Sequence, residues 1–374
     1  RDYYASRGLG DVYKRQQQCK GDFFMDKYNV YQDMSRRTGG EIYLGIVGPV
    51  RTGKSTFIKR FMELVVIPEM TDDNEKVRTI DELPQSADGK TIMTTEPKFI
   101  PKEAAVIHFS NQETGKIRLI DCVGYLVPEA VGAIEEEKER MVKTPWSEEE
   151  IPFSKAAEIG TSKVIREHSN LGLIITTDGS FGDIPAVNFE EALQKTVMEC
   201  EKAGKPFLIL VNTSRPDSQE TIQFTKRLEA QYGKTVMAVN CKTMDREDVF
   251  RIMEQLLADF PITRLNFLLP KWVEFLQPDN WLKQDLIEKC RNVIQKVHTM
   301  KDIQDDSIQM QAPYIKDVYI RDKQLENGVV NLSVDFEDRY YYEILSEMVG
   351  TNIEGEYDLI SLLKELSGMR NNYE

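Results

Sequence analysis

The run Gly48-Pro49-Val50-Arg51-Thr52-Gly53-Lys54-Ser55 constrains this chain more than any other stretch. It reads G-x-x-x-x-G-K-S. An apolar run of buried-strand type, Ile42 to Val47, comes before it. A helical pattern carrying Phe57, Ile58, Phe61, Leu64 and Val65 follows, and its β-branched end and Pro68 are expected to terminate it. Gly48 and Gly53 let the backbone close around an anion because no Cβ blocks the approach. The loop amides and the helix N-terminus then aim N–H groups inward at negative charge. This is a phosphate cradle, with Lys54 as the cation for β- and γ-phosphates and Ser55 offering a hydroxyl to Mg²⁺. Gly48, Arg51, Thr52, Gly53, Lys54, Ser55 and Thr56 are therefore expected to hold a nucleotide.

Further residues agree with that reading. Ile117 to Ile120 reads as a strand that Asp121 ends, and Asp121-Cys122-Val123-Gly124 is D-x-x-G. A carboxylate at a strand's C-terminal end can hold Mg²⁺ through water. Gly124 can offer its backbone N–H to a γ-phosphate. Between the two motifs lies Gly89-Lys90-Thr91-Ile92-Met93-Thr94-Thr95-Glu96-Pro97, where either Thr94 or Thr95 could reach Mg²⁺ and the γ-phosphate. The expected metal set is Ser55, Asp121 and Thr95, with Thr94 as the alternative threonine. Val106 to Phe109 supplies a strand able to pair antiparallel with 117–120.

Buried strands are also expected at 171–176, 206–211 and 235–239, separated by helices near 154–169, 188–203, 218–231 and 247–258. Strand alternating with helix predicts a mostly parallel sheet with helices on both faces. The fold class is thus α/β, a GTPase-like P-loop NTPase, followed by a smaller α+β domain. Ligand belongs at the C-terminal strand ends, where the P-loop, Asp121 and Asn212 all fall.

The base-reading positions are unusual. GTPases follow the strand corresponding to 206–211 with N-K-x-D, whose Asp accepts two hydrogen bonds from guanine. Here the run is Asn212-Thr213-Ser214-Arg215. Arg has five donors and no acceptor, so guanine selectivity is expected to be lost and adenine becomes the base. Asp217 is the one nearby substitute acceptor. Tyr125 stands where a Ras-like enzyme has a water-orienting Gln, so hydrolysis is expected to be slow or assisted.

Composition excludes several classes. Lys plus Arg is 48 against 62 Asp plus Glu, a net charge of −14, which argues against wrapping nucleic acid. No apolar stretch approaches the roughly 18 residues of a spanning helix. The five cysteines form no C-x-x-C and the three histidines are scattered, so a zinc site is not expected and a reducing cytosol is. Residues 1–24 show neither helical nor strand period and read as a non-native extension before a natural start at Met25.

The chain from 25 onward resembles the stage IV sporulation protein A family. The carriers are RRTGGEIYLGIVGPVRTGKSTFIK (36–59), DELPQSA (81–87), GKTIMTTEPKF (89–99), IRLIDCVGY (117–125), TPW (144–146), EIGT (158–161) and ITTDG (175–179). The resemblance implies an ATPase with Mg²⁺ whose turnover drives self-assembly into a homopolymer, the basement layer of the bacterial spore coat. It implies a cytoplasmic, mother-cell protein peripheral to the outer forespore membrane. Implied partners are coat proteins and a small amphipathic membrane-bound sporulation peptide. The family's functional residues fall on Lys54, Thr94, Thr95 and Asp121. The expected division is an ATPase domain over 25–262 and an α+β middle domain over 263–374, with the family's further C-terminal domain absent. A regulatory GTPase and a scaffold without turnover are the alternatives.

Two regions carry less chemistry. Residues 126–153 are acidic and Pro-punctuated; they read as a solvated loop, or else as a polymer contact, with Trp146 as an anchor. After Pro261 an amphipathic helix over 281–300 is expected to bury Leu282, Leu286, Ile287, Val293, Ile294 and Val297. Strands near 314–322 and 329–336 flank Asn327-Gly328, a hairpin signal, and Val330, Leu332, Val334 and Phe336 alternate. Helices near 338–349 and 357–368 follow. Tyr340-Tyr341-Tyr342 reads as packing before interface.

Overall fold

A computed structural model describes residues 29–70, 72–84, 96–108, 114–128, 134–135, 138–182 and 184–371. The first lobe contains α1 (Asn29–Arg37), β1 (Glu41–Val47), α2 (Lys54–Phe61), α3 (Asp73–Glu82), β2 (Lys98–His108) and β3 (Thr114–Asp121). It continues with β4 (Met141–Thr144), β5 (Ser147–Pro152), α4 (Phe153–Lys163), β6 (Leu171–Thr177), α5 (Glu190–Ala203), β7 (Phe207–Asn212), α6 (Gln219–Tyr232), β8 (Val236–Val239) and α7 (Arg246–Ala258). Thr94, Thr95 and the rest of 85–95 lie outside the described residues.

Six strands form one sheet in the order β8-β7-β6-β1-β3-β2. All neighbours are parallel except β2, which runs antiparallel to β3 with Phe99 opposite Ile120 and Val106 opposite Lys116. Both faces are covered, which is why the strands read as continuous apolar runs. Ile42, Leu44 and Ile46 of β1, with Leu208 and Leu210 of β7, pack with Phe57, Phe61, Ile252 and Leu256 on one face. Val47, Ile174, Ile209 and Val211 pack with Val164, Leu193, Val197 and Leu228 on the other. The expected α/β P-loop class is the class observed.

Pro68 does not end the helix after the P-loop. The helix widens into a π turn over Met62–Val66 and resumes over Ile67–Glu69. Pro68 then sits in the first turn of the resumed segment, where its missing N–H costs little. The acidic insert is not an open loop either. Within its described part, β4 and β5 form a hairpin, with Val142 opposite Ile151 and Trp146 half-buried in the turn. Arg140 closes its base, stacking on the Phe153 ring and accepting the Phe153 amide on its carbonyl.

The second lobe contains β9 (Arg264–Leu268), α8 (Trp281–Lys296), β10 (Ile315–Gln324), β11 (Val329–Phe336), α9 (Asp338–Val349) and α10 (Glu356–Asn371). The strands form one sheet in the order β9-β11-β10. The β10–β11 hairpin is the expected one, and Val330, Leu332, Val334 and Phe336 are all buried. The edge strand β9 was not legible in the sequence, because its side chains are exposed or half-buried without alternation. Of the stripe expected on α8, Leu282, Leu286, Val293 and Val297 are buried, whereas Ile287 and Ile294 are 42% and 49% exposed. The buried stripe is narrower than an apolar count suggests, because only one row of α8 meets the sheet. Tyr340 packs edge-on against Trp281 and Tyr314, and Tyr341 against Trp272, so this run is largely packing.

At the end of the first lobe, Arg37 of α1 donates to the Pro261 carbonyl at 2.6 Å and lies over the Phe260 ring. An ion pair crosses to the second lobe. Lys301 pairs with the buried Asp259 at 2.6 Å.

Candidate nucleotide-binding site

The loop from β1 to α2 crosses the C-terminal edge of the sheet. Gly48 has φ 129° and Gly53 has φ 95°. A Cβ on Gly48 would lie 2.4 Å from the Ile175 carbonyl oxygen, and one on Gly53 would lie 2.3 Å from Asn212 Nδ2. Neither position admits a side chain. Thr52 is buried and its hydroxyl donates to the Pro49 carbonyl at 3.0 Å, closing the loop from within. Arg51 sits at the exposed tip with φ 63°, and Ser55 and Thr56 open α2.

Lys54 is buried under the loop. Its Nζ donates to the Pro49 carbonyl at 2.5 Å and to the Gly48 carbonyl at 3.4 Å. Burial lowers its pKa, against the opposing pull of Cys122 and Asp121. Asp121 ends β3 beside it. Ser55 Oγ donates to Asp121 Oδ2 at 2.9 Å, while Asp121 Oδ1 is buried with no hydrogen-bond partner. Burial pushes the Asp121 pKa up, and Lys54 and the Ser55 hydrogen bond pull it down. A hydroxyl and a half-satisfied carboxylate, both hard oxygen donors, fit a Mg²⁺ ion. Among the described residues no cluster of three His, Cys, Asp or Glu could hold a metal, and the described oxygen donors paired here are those of Ser55 and Asp121.

Gly124 fits against the P-loop as closely as backbone allows. Its φ is 92°, and a Cβ there would lie 2.0 Å from the Gly48 carbonyl oxygen and 2.8 Å from Lys54 Nζ. The next residue is held too: the Val50 amide donates to the Tyr125 carbonyl at 2.9 Å. The Tyr125 ring is buried in a small cluster with Val50, Val127, Ile184 and Phe189. Its phenol is occupied in packing, in keeping with the absence of a switch glutamine. Cys122, whose thiol burial pushes up to about 11, is sealed in the core behind Asp121.

At the base end, Asn212 spends both ends of its amide on backbone. Its Nδ2 donates to the Thr52 carbonyl at 3.0 Å and its Oδ1 accepts the Cys241 amide at 3.0 Å. It thus braces the P-loop against the loop after β8. Arg215, which stands at the guanine-acceptor position, faces outward. Its side chain is 69% exposed and reaches Glu220 at 3.5 Å. An arginine at that place gains more from hydration than from a dry pocket, so the site lacks the guanine acceptor without gaining a clash. Asp217 is exposed as well.

One group escaped the sequence reading. Asp178 directly follows β6, and its Oδ2 accepts the Thr213 hydroxyl at 2.6 Å while its Oδ1 accepts the Ser180 amide at 2.9 Å. The Ser180 hydroxyl in turn accepts the Ser214 amide at 2.8 Å. An acid at the C-terminal end of an apolar strand was the signal that singled out Asp121; the same pattern in I-T-T-D-G was available for Asp178.

A family model described as stage IV sporulation protein A, ATPase domain, matches residues 25–261, and the middle-domain model of the same protein matches 262–374. The chain belongs to the stage IV sporulation protein A family. It is 42% identical over 348 residues to the stage IV sporulation protein A of Clostridioides difficile, a match covering 92% of this chain and 71% of that protein. It is also 42% identical over 351 residues to that of Bacillus subtilis, covering 94% and 71%. Two crystal structures of SsGBP mutation variants align with TM-scores of 0.33 and 0.32. Their identities are 15% and 13%, and they cover 61% and 67% of this chain and 60% and 64% of their own. The ATPase-domain match of the stage IV sporulation protein A family spans the P-loop, Asp121, Gly124, Asn212 and Asp178.

Proposed function

We propose that this chain binds ATP with Mg²⁺, hydrolyses it slowly, and uses the cycle to self-assemble into the basement layer of the bacterial spore coat. The observation that carries the reading is the pairing of Ser55 with Asp121 beside the buried Lys54, with Asp121 Oδ1 left unpartnered. In this reading Gly48, Arg51, Thr52, Gly53 and Thr56 present backbone amides to the phosphates. Lys54 exchanges its carbonyl partners for β- and γ-phosphate oxygens, the charge-assisted bonds being the stronger ones. Ser55 and Asp121 would hold Mg²⁺ directly or through water, with Thr95 or Thr94 completing the set. Bound there, the ion supplies neutralisation of charge on the transferring phosphate. Gly124 carries the N–H facing the γ-phosphate, and Asn212 keeps the base end in register.

The lobe over 25–262 is taken as the ATPase domain and 263–374 as the middle domain of the family. Homopolymer contacts, coat proteins and a small amphipathic membrane-bound sporulation peptide are the proposed partners, at the outer forespore membrane in the mother cell. Attachment there is proposed to be peripheral. Among the described residues no helix is long and apolar enough to cross a membrane.

Radiolabelled ATP and GTP hydrolysis, run beside sedimentation, tests the reading. ATP should be turned over and should move protein into the pellet. Turnover of neither nucleotide, or of GTP alone, refutes it.

A further inference from the structure

The Asp178 cluster is more connected than a surface turn requires. The carboxylate holds two elements at once. Oδ1 takes the Ser180 amide and so fixes the loop after β6; Oδ2 takes the Thr213 hydroxyl and so fixes the loop after β7. Ser180 doubles the link, since its hydroxyl accepts the Ser214 amide at 2.8 Å and lies 3.4 Å from Thr213 Oγ1. Thr213 is fully buried; its amide donates to the Val239 carbonyl at 2.9 Å and its hydroxyl accepts the Arg215 amide at 3.2 Å. Every backbone turn from 213 to 215 is therefore tied, directly or through one atom, to Asp178.

Asp178 and Thr213 lie directly after the C-terminal ends of β6 and β7, and Val239, which accepts the Thr213 amide, ends β8. A lysine at position 213 would lay a long apolar stem along a base. Thr213 instead turns inward and gives its hydroxyl to a carboxylate from the neighbouring strand. Burial tends to raise the Asp178 pKa, but the hydrogen bonds from Ser180 and Thr213 outweigh it and hold the group as an anion.

We infer that Asp178 is the positioning residue of the base end of this nucleotide site: through Thr213 and Ser180 it sets the backbone of 213–215 against which the purine rests. The inference rests on the reading of the site as an ATP site. It assigns Asp178 no contact with phosphate or metal, so its loss should be felt by the base and not by the triphosphate.

Two probes separate these ends: a non-hydrolysable ATP analogue and inorganic tripolyphosphate, each titrated with Mg²⁺ into the full chain. The parent should bind the analogue more tightly. In Asp178→Ala, binding of the analogue should weaken about tenfold or more, the loss expected when a charged hydrogen-bond hub is removed, while tripolyphosphate stays within about twofold. Asp178→Asn, which keeps one acceptor, should fall between. Thr213→Val, which keeps the shape and deletes the hydroxyl, should reproduce the base-selective loss and carries the test if Asp178→Ala does not fold. Equal loss of both probes, or no loss of either, overturns the positioning role. A parent that binds the two probes equally fails the nucleotide reading itself, and this inference with it.

Discussion

Ser55 Oγ and Asp121 Oδ2 meet at 2.9 Å, joining the first turn of α2 to the last residue of β3. The contact uses one oxygen of a buried carboxylate and leaves the other unsatisfied. A group in that state is costly in a folded protein unless a cation or water completes it. Asp121→Asn keeps the shape and removes the charge. Its steady-state ATP hydrolysis should fall about a hundredfold, because the metal side loses several kcal/mol of charge stabilisation, while nucleotide affinity changes less. Unaltered turnover in this variant would remove Asp121 from the metal site.

Lys54 gives a complementary result. Its ammonium lies between loop carbonyls and is buried, so Lys54→Ala removes the cation that the phosphates would meet. ATP affinity should drop about tenfold or more, since charge-assisted bonds are about twice as strong as neutral ones. Equilibrium binding of a fluorescent ATP analogue reads this directly, without need of turnover.

The exposed Arg215 separates two accounts of base choice. If lost acceptance alone disfavours guanine, Arg215→Ala should leave ATP affinity within about twofold, because exposed ion pairs such as that with Glu220 contribute little. ATP should still outcompete GTP. A sharp gain in GTP binding by Arg215→Ala would mean instead that the guanidinium guards the pocket.

Asn212→Ala tests the brace between the P-loop and the loop after β8. It strands the Thr52 carbonyl and the Cys241 amide, both buried partners of the amide, at a cost of about 1–3 kcal/mol. Denaturant unfolding should show a lower midpoint at an unchanged slope.

A pH dependence should arise at Asp33. Burial first, and then the Glu326 carboxylate of the second lobe, push its pKa up to about 6, with Arg36 pulling the other way. The folded chain therefore retains a proton that the unfolded chain releases near pH 4. Stability should fall as pH rises from about 4 to about 6, where the native state binds more protons than the unfolded one. Asp33→Asn cannot ionise, so its Tm advantage over the parent should grow across that window and then level off. A difference that shrinks with rising pH would reverse the assignment.

Much of the fold was legible because its signals were redundant. The P-loop glycines, the apolar strands and the Asn327-Gly328 hairpin each combine a backbone requirement with a burial pattern. Side-chain direction was not legible. Arg215 and Ile287 were placed by residue type, yet both face outward: the first because hydration outweighs a dry pocket, the second because α8 meets its sheet along one row. Pro68 misled because a π turn just before it opens a fresh first turn, which local sequence does not announce. Asp178 was passed over because its partners, Ser180 and Thr213, are assembled only when β6 and β7 lie side by side.

Gly48 and Gly124 have a consequence beyond their own turns. The Gly48 carbonyl and Lys54 Nζ occupy the room that a methyl on Gly124 would need, so the two motifs share a single volume with Lys54 at its wall. They behave as tooth and notch: movement of the segment after Asp121 by even one bond length must push on the loop that grips the phosphates. A change in that grip is therefore felt at Tyr125 without any intervening messenger.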